Sequence, residues 1–212
     1  MKERIAAQFK RPSGLLGRMV GFIMRKGNRT IYRLLINRLH IADTDRVLEI
    51  GFGTGDAIKI IGAQNCKCQI SGIDFSELMY KKASLTNKKL IKSGRLSLSF
   101  GDFLTHDFAG VVFTKIYCIN VVYFWDDLNI GFGKVFNVLK DEGLFGFYMN
   151  SSEDMYRSKL TQTDTFNKHS IDYVIMCLEN VGFREIQQYY ESGNITKGYY
   201  IYARKKTVPN IG

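Results

Sequence analysis

The chain has 212 residues, of which 45% are hydrophobic, so it can bury the core of one large domain. It contains only two prolines and no apolar run near the ~18 residues of a membrane span. Its four cysteines lack metal-ligand spacing and no signal peptide is visible, so we expect a reduced, cytoplasmic protein without a metal.

The net charge of +10 is concentrated at the amino terminus. Residues 1–42 hold ten lysines and arginines against one acid, Glu3, whereas the remaining residues are almost neutral. Apolar stripes at 15–24 and 31–39 run through the same segment. We therefore predict that residues 1–42 form a basic, amphipathic helical extension that acts as a substrate lid. An anionic membrane surface is the alternative partner. Nucleic acid fits less well, because basic patches that bind RNA usually come with exposed aromatic residues rather than stripes of Leu and Met, and Tyr32 is the only tyrosine there.

Strands and helices alternate from residue 46 onward, which is typical of a parallel sheet with helices on both faces. Two β-rich runs at the carboxyl end, joined by Glu191-Ser-Gly-Asn194, predict an antiparallel hairpin. The predicted fold class is α/β: a Rossmann-like, doubly wound, mostly parallel seven-stranded sheet over residues 43–206, followed by a flexible tail at 207–212. We predict strands at 46–50, 68–74, 96–100, 115–120, 144–149, 183–190 and 197–203, and helices at 56–63, 76–92, 127–139 and 171–181. We also predict a turn at 141–143 and an irregular loop at 150–169 on the ligand side.

A glycine-rich turn follows the first strand, where residues 47–55 read Val-Leu-Glu-Ile-Gly-Phe-Gly-Thr-Gly. Glycines allow a sharp turn and let a ligand approach the main chain. A dinucleotide-binding turn would place its third glycine at position 56, where this chain has Asp56, whose carboxylate would repel pyrophosphate. S-adenosylmethionine has no phosphate and carries a cationic amino group and a sulfonium. Glu49 and Asp56 therefore favour S-adenosylmethionine as the ligand.

Two further acids follow the second and third predicted strands. Asp74 ends the second strand, where a carboxylate can accept hydrogen bonds from both hydroxyls of a ribose. Asp102 and Phe103 follow the third strand, where the acid can accept from the amino group of adenine and the ring can pack on the base. The three features in this order predict a site for a nucleoside-containing cofactor.

Residues 44–150 resemble the class I S-adenosylmethionine-dependent methyltransferases, especially the small-molecule branch related to ubiquinone and menaquinone methyltransferases. The resemblance rests on 49–55, Asp74, Asp102-Phe103 and 119–125, although Asp141-Glu142 stands where the family usually has proline and glycine. Residues 10–17 with Met24 and Asn28 are similar to the amino terminus of a group of bacterial members. The motifs and the resemblance together predict cofactor contacts from Glu49, Gly51, Phe52, Gly53, Gly55, Asp74, Phe75, Asp102, Phe103 and Asn120.

The resemblance implies methyl transfer to a small-molecule acceptor, such as a lipid or quinone, by direct in-line displacement. An RNA methyltransferase, a non-catalytic cofactor-binding protein of the same fold and a nucleotide-dependent oxidoreductase are the alternatives. Met24, Tyr123 and Trp125 are the predicted substrate-pocket residues. The sequence does not identify a general base. The candidates for this role are Tyr123, His106 and His169.

Overall fold

A computed structural model describes residues 3, 7, 10, 29–64, 67–159, 161–193 and 197–206. Its strands form one sheet in the order β3-β2-β1-β4-β5-β7-β6. The first five strands pair in parallel, whereas β7 is antiparallel to both β5 and β6. The strands are β1 (Arg46–Ile50), β2 (Gln69–Asp74), β3 (Leu96–Phe100), β4 (Phe113–Ile119), β5 (Leu139–Asn150), β6 (Phe183–Ser192) and β7 (Lys197–Lys205).

Helices cover both faces of this sheet, which confirms the predicted doubly wound fold. Helix α1 spans residues 29–39. Five of the later helices connect the strands or precede the terminal hairpin, and one short helix follows β5 directly. These are α2 (Asp56–Ala63), α3 (Glu77–Thr86), α4 (Lys88–Lys92), α5 (Leu128–Val138), α6 (Ser152–Arg157) and α7 (Ile171–Val181), with a 3-10 turn at Val122–Phe124.

The core has two layers, one on each face of the sheet. Alternate residues of β5 show the division, because Phe147 faces the layer that contains α5 and α7, whereas Tyr148 faces the layer that contains α1 and α2. Strand β1 is buried from Val47 to Ile50, as expected for a central parallel strand covered on both sides. Helix α1 lays an apolar stripe on the second layer, and the buried residues of that stripe are Ile31, Leu35, Ile36 and Leu39.

Three local elements differ from the sequence-based prediction. The helix predicted over 76–92 is broken at Asn87, because the Asn87 side chain donates hydrogen bonds to the carbonyl oxygens of Gly55 and Ala83. The turn predicted at 141–143 lies within β5, where Glu142 adopts a φ of +62°. The loop predicted at 150–169 contains α6, whose first turn is capped by the Ser151 hydroxyl.

The amino-terminal extension is described only in part. Helix α1 agrees with the second predicted apolar stripe, and its outward positions include the exposed Arg29 and Arg33. The first stripe, at residues 15–24, lies outside the described residues. So does the predicted tail at 207–212.

Candidate active site

A cavity of about 400 Å³ opens at the carboxyl edge of the sheet, where β1, β2, β3 and β4 end. Its wall is built from the turns that follow these strands, and α1 adds Tyr32. The volume falls within the range of small-molecule and cofactor pockets. The described lining residues are Lys10, Tyr32, Glu49, Ile50, Gly51, Phe52, Gly53, Thr54, Ile73, Asp74, Phe75, Met79, Gly101, Asp102, Phe103, Leu104, Ile119, Asn120, Val121, Phe124, Trp125, Asp126, Asp127 and Ile130.

The glycine turn after β1 forms the floor of the cavity. Gly51 has a φ of +72°, and a Cβ there would lie 2.6 Å from Cγ2 of Val121, so both the backbone and the neighbouring side chain require glycine. Gly53 also has a positive φ, of +51°, and nothing lies within 4 Å of the position of its missing Cβ. The turn thus brings bare backbone to the cavity surface.

Two backbone N–H groups hold the Asp74 carboxylate, one from the glycine turn after β1 and one from the turn after β2. Its Oδ2 accepts the N–H of Gly53 at 2.8 Å, and its Oδ1 accepts the N–H of Ser76 at 2.8 Å. Burial raises the pKa of the Asp74 carboxyl from 3.8 to about 6, although these two hydrogen bonds oppose the change. Each oxygen has a second lone pair, so the carboxylate can still accept a hydrogen bond from a ligand.

Glu49 lies deeper, beneath the same turn. The hydroxyl of Tyr117 donates to Glu49 Oε2 at 2.9 Å, and both side chains are buried. Burial, with smaller contributions from Asp74 and Asp56, raises the pKa of Glu49 well above its ordinary value, against the effect of the Tyr117 hydrogen bond. A cation bound nearby would stabilise the ionised form of Glu49.

The turns after β3 and β4 form an aromatic wall. The Phe103 ring is 4% exposed and stacks on Trp125, with ring centroids 6.1 Å apart and planes inclined by 25°. Trp125 is seated by Gly131 of α5, because a Cβ on Gly131 would lie 2.3 Å from Cε3 of the indole. Asp102 lies at the exposed mouth, where its Oδ1 accepts the N–H of Leu104 at 3.0 Å.

The cavity is strongly acidic. Among the described residues of the lining, Lys10 is the one cation. Asp126 and Asp127 are exposed, and Asp127 also caps α5 by accepting the N–H of Asn129 at 2.7 Å. The carboxylates of the lining are Glu49, Asp74, Asp102, Asp126 and Asp127. The arrangement therefore favours a ligand that carries positive charge.

Most of the cofactor-binding residues predicted from the sequence lie together on this lining, as does Trp125 of the predicted substrate pocket. Gly55 does not. It precedes α2 with a φ of +75°, and a Cβ on it would lie 2.5 Å from Nδ2 of Asn87. Its place in the motif is explained by this close packing of α2 against the helix that follows β2.

The three residues predicted as candidate general bases do not line the cavity. Tyr123 is buried in the core beside the cavity. The His106 ring packs edge-on against Phe108, and the His169 ring stacks on Tyr173, so neither histidine belongs to the described lining. Met24 lies outside the described residues. The part of the chain that the structure describes thus places no histidine at the cavity.

Several lining residues had not been predicted from the sequence. Tyr32 and Lys10 come from the extension, far from the motifs along the chain, and only the packing of the extension brings them to the cavity. Thr54 lies inside the glycine turn, and its hydroxyl donates to a carboxylate oxygen of Asp56. Ile130 lies on α5 and is 63% exposed at the cavity mouth.

Membrane-spanning helices and metal clusters are both missing from the described residues. None of their helices combines the length and the apolar character needed to cross a membrane. The same residues contain no group of three or more His, Cys, Asp or Glu side chains arranged to hold a metal ion.

Comparison with known proteins gives matches over the region that builds the cavity. A family model described as a methyltransferase domain matches residues 47–143. The chain is 28% identical over 135 residues to the uncharacterized methyltransferase YdaC of Bacillus subtilis, which covers 64% of this chain and 72% of YdaC. It is 29% identical over 114 residues to the sterol 24-C-methyltransferase of Eremothecium gossypii, which covers 54% of this chain but only 30% of the sterol enzyme.

A solved structure shows the same fold. Haemonchus contortus phosphoethanolamine N-methyltransferase 2, in complex with S-adenosyl-L-methionine, superposes with a TM-score of 0.69 at 15% identity. The superposition covers 84% of this chain and 53% of the other.

Proposed function

Because this chain belongs to the class I S-adenosylmethionine-dependent methyltransferases, we propose that its cavity binds S-adenosylmethionine and presents the methyl group to a small, apolar acceptor. The observation that carries the proposal is the set of carboxylates around a bare glycine turn, with Asp74 fixed by two backbone N–H groups. When bound, S-adenosylmethionine supplies an electrophilic methyl group on a sulfonium, which is already an excellent leaving group.

The charges of the lining fit this cofactor. Its amino group and sulfonium are cations, and the lining holds five carboxylates. Its one carboxylate can be met by Lys10, the one cation of the described lining. A dinucleotide fits poorly, because Asp56 lies in the first turn of α2, where pyrophosphate would have to bind.

Each part of the wall has a proposed role. Asp74 would accept the ribose hydroxyls, and Glu49 would compensate the positive charge of the cofactor from below. Asp102 would accept the adenine amino group, with Phe103 packed on the base. Gly51 and Gly53 would let the cofactor lie against the main chain, while Phe52, Phe75 and Asn120 complete the wall.

The proposed contribution of the chain to the reaction is positioning and exclusion of water. The described lining contains no histidine, and a dedicated base is needed only if the acceptor must lose a proton. Orientation of two partners alone can account for a large part of a rate enhancement. The aromatic wall and the extension would keep water away from the methyl group during transfer.

The proposed acceptor is lipid-like. Apolar side chains line the side of the cavity after β4, including Val121, Phe124 and the exposed Ile130. One relative, which aligns with 54% of this chain, is a sterol 24-C-methyltransferase, and this also supports an apolar acceptor. The basic outer face of α1, with Arg29 and Arg33, would meet an anionic membrane surface that holds such an acceptor. A quinone is another apolar acceptor that would fit this side of the cavity, and it stays a prediction.

Cofactor binding is tested by calorimetry with S-adenosylmethionine and S-adenosylhomocysteine. We expect micromolar affinity for both, and at least tenfold weaker binding by Asp74→Ala because a buried acceptor of ligand hydroxyls is lost. Asp172→Ala, at an exposed acid in the first turn of α7, is the matched control and should bind like the wild type. No heat with either compound, or tight binding of NAD instead, would refute the proposal.

The acceptor class is tested with S-adenosylmethionine labelled in its methyl group. The wild-type protein is incubated separately with a bacterial lipid extract, with total RNA and with a mixture of polar amines and acids. We expect protein-dependent label in the organic phase of the lipid reaction. Label confined to RNA or to the polar mixture would contradict a lipid-like acceptor while leaving methyl transfer intact.

A further inference from the structure

Tyr123 is buried beside the site rather than exposed in it. Its side chain is 2% exposed and packs against Phe124 and Phe166. Burial raises the pKa of the Tyr123 phenol well above its ordinary value, so the hydroxyl keeps its proton. A protonated phenol that does not face the cavity cannot serve as the base, but it can both donate and accept hydrogen bonds.

The Tyr123 hydroxyl joins the ends of two neighbouring strands at the ligand edge. It accepts the backbone N–H of Asn150, the last residue of β5. It donates to Oδ1 of Asn120, directly after β4, at 3.0 Å. In this arrangement the hydroxyl accepts from the N–H of Asn150 and gives its one hydrogen to the amide oxygen of Asn120.

Asn120 is an unusual residue of the cavity wall. Its φ is +58°, a left-handed conformation that asparagine tolerates better than most residues. Its N–H donates to the carbonyl oxygen of Tyr148 at 3.0 Å, so β5 holds its main chain while Tyr123 holds its side chain. The direction of the Asn120 amide at the cavity is thus set by a residue outside the cavity.

We infer that Tyr123 is a positioning residue, which fixes the Asn120 side chain in the cavity wall and thereby sets the affinity of the site for its cofactor. The inference rests on the proposed function, because Asn120 would meet S-adenosylmethionine there. Without the hydroxyl, the Asn120 amide loses the hydrogen bond that holds its oxygen, and cofactor binding must then supply the ordering that this bond had provided.

The test is a double-mutant cycle measured as binding of S-adenosylhomocysteine by calorimetry. Tyr123→Phe keeps the ring and its packing and removes only the hydroxyl. We expect it to weaken binding about three- to tenfold, the net worth of one hydrogen bond. Asn120→Ala should weaken binding at least as much. The double variant should bind no more weakly than Asn120→Ala alone, because Tyr123 acts through Asn120.

Tyr148→Phe is the matched control. It removes another hydroxyl at the same strand ends, one that donates to Oδ1 of Asn150 at 3.0 Å, and it leaves the Asn120 side chain in place. We expect wild-type binding, with thermal unfolding recorded for every variant. Unchanged binding by Tyr123→Phe, equal losses in Tyr123→Phe and Tyr148→Phe, or additive losses in the double variant would overturn the inference. A wild-type protein that binds neither S-adenosylmethionine nor S-adenosylhomocysteine would overturn the proposed function, and the inference would fall with it.

Discussion

Replacing Asp74 with asparagine should remove a pH dependence from the stability of the ligand-free protein. Burial raises the pKa of this carboxyl from 3.8 to about 6. A group with a higher pKa in the folded state binds its proton more tightly there, so protonation favours folding. The stabilisation is fully present below pH 3.8 and is lost as the pH rises through about 6.

The difference between the two pKa values of Asp74, 3.8 unfolded and about 6 folded, corresponds to about 3 kcal/mol of folding free energy, at about 1.4 kcal/mol for each tenfold change in proton affinity. Proton linkage then gives a loss of about 2 kcal/mol between pH 4 and pH 7. The asparagine side chain cannot ionise, so the Asp74→Asn variant lacks this loss. The variant is destabilised by a constant amount instead, because the amide NH₂ cannot accept one of the two backbone N–H groups that Asp74 holds.

The assay is urea unfolding of the wild type and Asp74→Asn at steps from pH 4 to pH 7. The free energy of unfolding of the wild type minus that of the variant should fall by about 2 kcal/mol as the pH rises. Titrating groups that do not interact with Asp74 are common to both proteins and cancel in this difference, whereas Glu49, whose pKa Asp74 raises, adds a smaller contribution of the same sign. A difference that stays constant across the range, or that grows with pH, would refute the reasoning.

Cofactor binding should show the opposite dependence, because ribose hydroxyls donate best to the ionised carboxylate. Affinity of the wild type for S-adenosylhomocysteine should be about tenfold weaker at pH 5 than at pH 7, and that of Asp74→Asn should change less.

Two further predictions concern α5 and α1. Gly131→Ala would place a Cβ 2.3 Å from the Trp125 ring, so it should destabilise the protein by about 1–3 kcal/mol and weaken cofactor binding. Gly133→Ala on the same helix has nothing within 4 Å of its Cβ and should stabilise the protein by about 0.5–1 kcal/mol. Equal melting temperatures of the two variants would contradict this prediction. The wild type should float with vesicles that contain anionic phospholipid, and Arg29→Gln/Arg33→Gln should reduce flotation several-fold while Lys88→Gln/Lys89→Gln, an exposed basic pair on α4, does not. Equal flotation by both double variants would argue against a membrane-facing α1.

The sequence predicted the order of the strands and helices because hydrophobic periodicity and glycine turns are local signals. The same signals could not show that Asn87 breaks a helix, since its partner, the carbonyl of Gly55, lies 32 residues away along the chain. The strand β5 begins earlier than predicted for a similar reason. Asp141-Glu142 indicates a turn, and β5 pairs with β4 at Leu139 and again from Leu144, so the segment between them is an irregularity of the strand with a left-handed Glu142.

The candidate site likewise contains residues that local sequence signals predict and residues whose place depends on contacts far along the chain. Glu49, Gly51 and Asp74 could be predicted because the carboxyl ends of parallel strands meet at one edge of the sheet. Tyr32 and Lys10 could not, because their place depends on how the extension packs. Tyr123 carried an ambiguous signal, since an aromatic residue after β4 can point to the pocket or to the core, and only its burial and its two hydrogen bonds distinguish these.

The stacked pair of Phe103 and Trp125 has a spectroscopic consequence. Trp125 is the only tryptophan in the chain, is 5% exposed and forms part of the cavity wall. Its emission therefore originates from a single, largely dry environment at the place where a cofactor would lie. Tryptophan fluorescence of the unlabelled protein, excited selectively over its tyrosines, consequently reports on this one cavity, and a change in its quantum yield or emission maximum on adding ligand describes events at that wall.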